Sequence, residues 1–213
     1  MTSNLELAGQ QATRYLEEKH AARERALPRS RSVIRYCANS IRATHRHEFS
    51  SARQLLAEAG KLLSETTADL RPHQDVFYAG FVQDAQKEFA EAATFLALAH
   101  NEPLPLAPEL AIDWAPYLNG LGEAVGELRR YVLDQLRRDR IEEGEIYLQH
   151  MDDIYALLTT IDFPDAVTAG LRRTTDTARA ILEKTRGDLT VAAGQAHLQH
   201  SLAALQQELR KTE

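Results

Sequence analysis

At 213 residues the chain is long enough for one well-buried core, and its scarcity of Gly and Pro beside abundant Ala, Leu, Glu, Gln and Arg reads as an all-α protein. A formal net charge of −6 excludes the overall basic excess that often marks nucleic-acid binders, so a bound strand would have to be held by local clusters. The single cysteine, Cys37, excludes an internal disulfide, and no apolar run is long enough to span a membrane; with a polar N-terminal stretch unlike a signal peptide, the expectation is a soluble, cytoplasmic, single-domain protein without a membrane partner.

Apolar spacing and helix stops set the elements in chain order. A first helix is predicted from about Leu5 to Ala26, with a break or kink at Pro28. Val33, Ile34, Cys37, Ile41 and Ala43 line a second, ending near the segment HRHEF. A third runs from Phe49 and closes before Arg71 and Pro72, and a fourth covers Asp75 to about Ala99 on a long apolar stripe. The segment NEPLPLAPELAID, with three prolines, is predicted to be non-helical. Asp113 can cap a fifth helix reaching about Arg138, a sixth spans about Glu143 to Thr160, and Pro164 or Asp165 opens a seventh. Arg186-Gly187-Asp188 is predicted to break that helix before a last one to the C-terminus.

Two pairs of carboxylates stand out. Glu88 and Glu91 in QKEFAEA, and Glu123 and Glu127 in NGLGEAVGELRR, are three or four apart, so each pair projects from one helix face. Two facing helices could then close a four-carboxylate site. Like charges about 4 Å apart repel by roughly 4 kcal/mol at an effective dielectric near 20, a cost that raises pKa values or recruits a cation. Oxygen-only ligands favour Mg²⁺ or Mn²⁺ over zinc. The plain alternative is that each pair belongs to a solvated helix face. Gly120, Gly122 and Gly126 beside the second pair each weaken a helix by about 1 kcal/mol relative to Ala, which points to close approach of a backbone or a ligand.

Arginines cluster at 23, 25, 29, 31 and 35, again at Arg42 and Arg46, and from Arg129 and Arg130 to 137, 138 and 140. Gathered on one face they could hold phosphate, although an arginine on an amphipathic helix is more often solvated. Lys87, Arg129 and Arg130 lie near the carboxylates in sequence and could neutralise phosphate charge. His45 could donate to a phosphate or serve as a packed interface histidine.

QKEFAEAATF after HQDVFYAGF, followed by YLNGLGEAVGELRR, resembles the translin superfamily, and within it the catalytic branch of translin-associated factor X, or Trax. SRSVIRYCANSIRATHR and KTRGDL agree with it, so the resemblance covers about Arg29 to Asp188. It implies a bundle of about seven helices that assembles into a hollow oligomeric barrel and cuts RNA. In that branch a Glu-Tyr-Val-Glu motif, and an Asp followed four residues later by a Glu, bind the catalytic Mg²⁺. Glu88 and Glu91 match the first pair, with Phe89 in the place of the Tyr, and Glu127 matches the last Glu. Glu123 stands where the branch carries Asp; it is one methylene longer, which alters the reach of its oxygens. The implied protein is an Mg²⁺-dependent endoribonuclease (Mn²⁺ being the alternative ion) with single-stranded RNA, or single-stranded DNA, as partner and itself as a homo-oligomer, a hexamer or octamer.

Two other readings compete. A non-catalytic single-strand binder would use the arginines with Tyr36, Phe77 and Phe81 and has no need of four carboxylates. A di-iron carboxylate bundle wants two Glu-x-x-His motifs, and the chain holds one instance, Glu17 to His20.

Overall fold

The computed structural model describes residues 2–212, and among them there are only helices and irregular segments, with no strand. The elements are α1 (Thr2–His45), α2 (Phe49–Leu70), α3 (Gln74–Phe77), α4 (Gly80–Ala99), α5 (Ala107–Leu110), α6 (Trp114–Leu136), α7 (Ile141–Thr159), α8 (Asp165–Thr168) and α9 (Leu171–Thr212). The all-α expectation is met. No helix among the described residues is long and apolar enough to cross a membrane.

The chain sorts into two compact units, one running to Gly120 and the other from Leu121. In the first, α1 packs along α2 and α4. One end of this packing is a cluster of Ala22, Ala26, Leu70, Val76, Phe77 and Val82, with Phe81 against it. The other end joins Ala43, Ala52 and Leu96, flanked by Phe49, Leu55 and Leu56. Alanine at 43 and 52 lets α1 and α2 approach closely enough for the Ser40 hydroxyl to donate to the Ala52 carbonyl at 2.9 Å. That bond satisfies a buried polar group that would otherwise cost about 1–3 kcal/mol.

Pro28 does not break the first helix; α1 runs through it to His45. A mid-helix proline forfeits one hydrogen bond and costs about 3 kcal/mol. Burial of Ala26, Ser30 and Val33 on either side holds the helix to its neighbours, and Arg25 and Arg29 both grip Asp69 of α2 across the proline. The fourth predicted helix divides into α3 and α4, because Ala79 is extended. The proline-rich spacer contains the single turn α5, whose start is held by the Leu106 N–H donating to Glu109 Oε2 at 2.7 Å. The Tyr117 hydroxyl donates to the Pro105 carbonyl at 3.0 Å and ties the spacer to α6.

In the second unit α7 packs on α9. Met151, Leu158, Leu171, Leu182 and Leu189 are fully buried. Arg186-Gly187-Asp188 does not interrupt α9. Arg186 binds Asp152 of α7 at 3.1 Å and Glu183 at 2.8 Å, and Asp188 is held by Arg129, so tertiary contacts on both sides override the weak propensity of Gly187. The turn into α9 falls earlier, where Ala169 and Gly170 take positive φ.

Candidate metal centre

The site is built on α4 and α6. Nearly all of α4 is buried, with Val82, Ala85, Phe89, Ala92, Ala93 and Phe95 inside, and Glu88 and Glu91 emerge half-buried from its middle. Phe89, between them, is held against α2 at Gly60: a Cβ there would stand 3.2 Å from the ring Cζ. Both glutamates bear on Cys37 of α1. Burial, first, and then the Glu88 and Glu91 charges push the Cys37 thiol well above its ordinary range. Fully buried on the inner face of α1, the thiol belongs to the packing.

Gly120 sets how closely α6 crosses α4. A Cβ at that position would lie 2.6 Å from the Ala90 Cβ, 2.6 Å from the Lys87 carbonyl oxygen and 2.9 Å from the Glu91 nitrogen. The backbone of α6 therefore rests directly on the segment that carries Glu88 and Glu91. Glu123 is one turn further along the same face. Carboxylate oxygens of Glu88, Glu91 and Glu123 all lie within 4.8 Å of one another, each residue being half-buried. Among the described residues this is the one group of three or more His, Cys, Asp or Glu side chains so gathered. Glu127, also half-buried and a further turn along, stands outside that trio. Three carboxylates this close repel one another unless protons or a cation offset the charge.

The cationic candidates are dispersed in role. Arg129 donates to Thr185 Oγ1 at 2.9 Å and to Asp188 Oδ2 at 2.8 Å, which makes it a tie to α9. Arg46 holds Glu48 through two hydrogen bonds of 2.8 and 2.7 Å. Arg42 is exposed and donates to Asn39 Oδ1 at 2.7 Å. His45 is half-buried with its ring 4.6 Å from that of Phe95, a packed histidine. Lys87 is half-buried beside Glu88, and Arg130 is exposed on α6. What sequence reading missed is the partnership of Arg129 with Thr185 and Asp188. The signal was there: three residues apart, those two share a face once the Arg-Gly-Asp segment is taken as helical.

No family model matches the chain. An uncharacterized protein of Methanocaldococcus jannaschii is 32% identical over 197 residues, which is 90% of this chain and 86% of that protein. A solved structure described as AfC3PO with duplex RNA is similar at a TM-score of 0.80 and 32% identity, covering 87% of this chain and 96% of that one. AfC3PO alone gives the same score and identity, with 97% of its chain covered. Apo-NeC3PO, at 21% identity and a TM-score of 0.73 over 89% of this chain, shares the fold.

Proposed function

The C3PO neighbours are translin–Trax complexes and the chain belongs to the translin superfamily; on that premise we propose that it is a metal-dependent endoribonuclease acting on single-stranded RNA within a homo-oligomeric barrel. The observation that carries this reading is the convergence of Glu88, Glu91 and Glu123. Its donor set is hard oxygen only, which suits Mg²⁺ or Mn²⁺. One oxygen from each of the three carboxylates lies within 4.8 Å of the others, close enough for all three to hold one small divalent cation.

Glu88 and Glu91 would hold the ion from the buried helix and Glu123 would close on it from α6, with Glu127 completing the set one turn on. When bound, the ion supplies Lewis-acid polarisation of a phosphate and a water acidified enough to attack it. The chain does the positioning. The Gly120 contact fixes the spacing of the two helices. Lys87 and the exposed Arg130 and Arg42 would meet the strand, whereas Arg129 is engaged with Asp188.

Assembly is supported by apolar side chains left on the surface. Val191, Leu198, Leu202, Leu205 and Leu209 of α9 are each more than half exposed, an arrangement expected of a face that meets another copy. A hexameric or octameric barrel is the proposed form, and a monomer at micromolar concentration in light scattering would overturn it.

The deciding experiment is cleavage of labelled RNA, single-stranded and duplex, with Mg²⁺, with Mn²⁺ and with EDTA. Duplex is included because AfC3PO has been solved with it. Wild-type protein is expected to cut in the presence of metal only, and Glu88→Gln or Glu127→Gln to lose at least about a hundredfold in rate. Undiminished cleavage by both variants, with assembly intact, sinks the assignment. Binding without cleavage by the wild type establishes the non-catalytic strand binder instead.

A further inference from the structure

Outside the carboxylate centre, the solvent side of the α2–α3 corner holds a cleft of about 470 Å³. This is within the usual range of small-ligand pockets. Ser64, Thr67 and Ala68 of α2, Arg71 just past its end and Phe77 form it, and Gln74 of α3 and Ala111 of the turn after α5 complete the rim. Spacings of three, four and seven from Ser64, continued by the helical backbone of Arg71 at the end of α2, put the two hydroxyls and the guanidinium on one face. No carboxylate lines the cleft. The acids nearest in sequence are engaged elsewhere: Asp69 by Arg25 and Arg29, Glu65 by Arg29 at 3.8 Å, and Asp75 by Lys19.

Arg71 is the exposed cation of this cleft, and among the described residues its side chain forms no ion pair or hydrogen bond. An unpaired guanidinium beside two hydroxyl donors is a ready partner for a phosphate or carboxylate. Two of the carbonyls at the end of α2, those of Ala68 and Leu70, are occupied by the Arg71 and His73 N–H groups. Gln74 donates its Nε2 to the Arg71 carbonyl at 2.8 Å, which fixes the amide and leaves Oε1 as an acceptor. Phe77, buried on its other side in the α1–α4 cluster, supplies the one aromatic wall. Ala68 and Ala111 leave room over that ring.

From these features we infer that the α2–α3 cleft binds a small aromatic anion of the mononucleotide class, its phosphate on Arg71, Ser64 and Thr67 and its base against Phe77 with an amino group to Gln74 Oε1. The site is separate from the carboxylate centre, and the inference stands whether or not the chain cuts RNA.

Isothermal titration of the full-length protein in EDTA with adenosine 5′-monophosphate, adenosine and inorganic phosphate tests it, EDTA removing any contribution of a metal. Saturable monophosphate binding is expected, at least about tenfold tighter than adenosine or phosphate alone, as one charge-assisted contact is worth about that factor. Arg71→Ala is expected to bring the monophosphate down to the adenosine level, and Ala68→Leu, which fills the cleft, to abolish binding of both. The residues are exposed, so circular dichroism should show each variant folded. Absence of saturable binding by the wild type overturns the inference. So does monophosphate affinity unchanged in both variants, and so does phosphate binding as tightly as the nucleotide.

Discussion

The start of α6 and the turns beyond Leu121 carry glycines that look alike in sequence and differ completely in use. At Gly120 a side chain would collide with backbone, the Lys87 carbonyl and the Glu91 nitrogen, and backbone in a packed helix cannot step aside. At Gly122 the obstacle is the methyl of Thr174, with Leu158 Cδ1 at 3.3 Å, both ends of side chains. At Gly126 nothing lies within 4 Å. What a glycine faces, and not its spacing from a functional residue, decides whether it builds a site.

Breaking that contrast at its strong end should have the largest effect. Gly120→Ala forces α6 away from α4 and is expected to destabilise the fold by about 2–3 kcal/mol. It should also weaken Mn²⁺ binding at least about tenfold in a titration followed by electron paramagnetic resonance, whereas Gly144→Ala, which crowds Leu189 at 3.0 Å, should lower the melting temperature and leave Mn²⁺ affinity alone. Equal Mn²⁺ affinity in the wild type and in Gly120→Ala would remove the helix crossing from the site.

Gly122→Ala is the intermediate case. Thr174 can yield, so a loss of about 1 kcal/mol in denaturant unfolding is expected, and a loss matching that of Gly120→Ala would erase the distinction between side-chain and backbone obstacles. Gly126→Ala should go the other way, stabilising by about 0.5–1 kcal/mol because Ala loses less chain entropy on folding and meets nothing. Destabilisation by this change would show that the site does need that glycine.

The smallest effect concerns charge on the α1–α2 side. The Arg29 and Arg25 guanidiniums hold the Asp69 carboxyl below the usual carboxylate range. A folded-state pKa below the unfolded one stabilises fully above about pH 5 and fades as the pH falls through the folded value. Asp69→Asn should therefore cost well under about 1 kcal/mol at pH 7, since partly exposed pairs are screened, and its stability curve should converge with the wild type in acid. Curves that stay parallel down to pH 2 would remove the ion pair as the cause.

Periodicity made most of the helices legible, and the close approach at Gly120 was readable from glycines crowding a glutamate. Boundaries failed where tertiary contacts outweighed local propensity. Pro28 and Gly187 are both poor helix residues, yet ion pairs to another helix flank each: Arg25 and Arg29 reach Asp69 around the proline, and Arg186 reaches Asp152 while Arg129 reaches Asp188 around the glycine. Such pairs are invisible in a linear reading. For the site, the spacing of Glu88 and Glu91 and of Glu123 and Glu127 supplied two prongs each, while the structure gathers three oxygens and leaves Glu127 a turn away. Helix spacing fixes direction around an axis but not the height at which two helices cross, and that height is set by Gly120 on Ala90.

Cys37 is the only thiol in the chain, fully buried on α1 and within the field of Glu88 and Glu91. It can react only when α1 lifts from α4, so its alkylation rate is a built-in clock for local opening beneath the carboxylates. Read with and without divalent ion, that clock would report how far the cation stiffens the packing under it, on the unmutated protein and without a label.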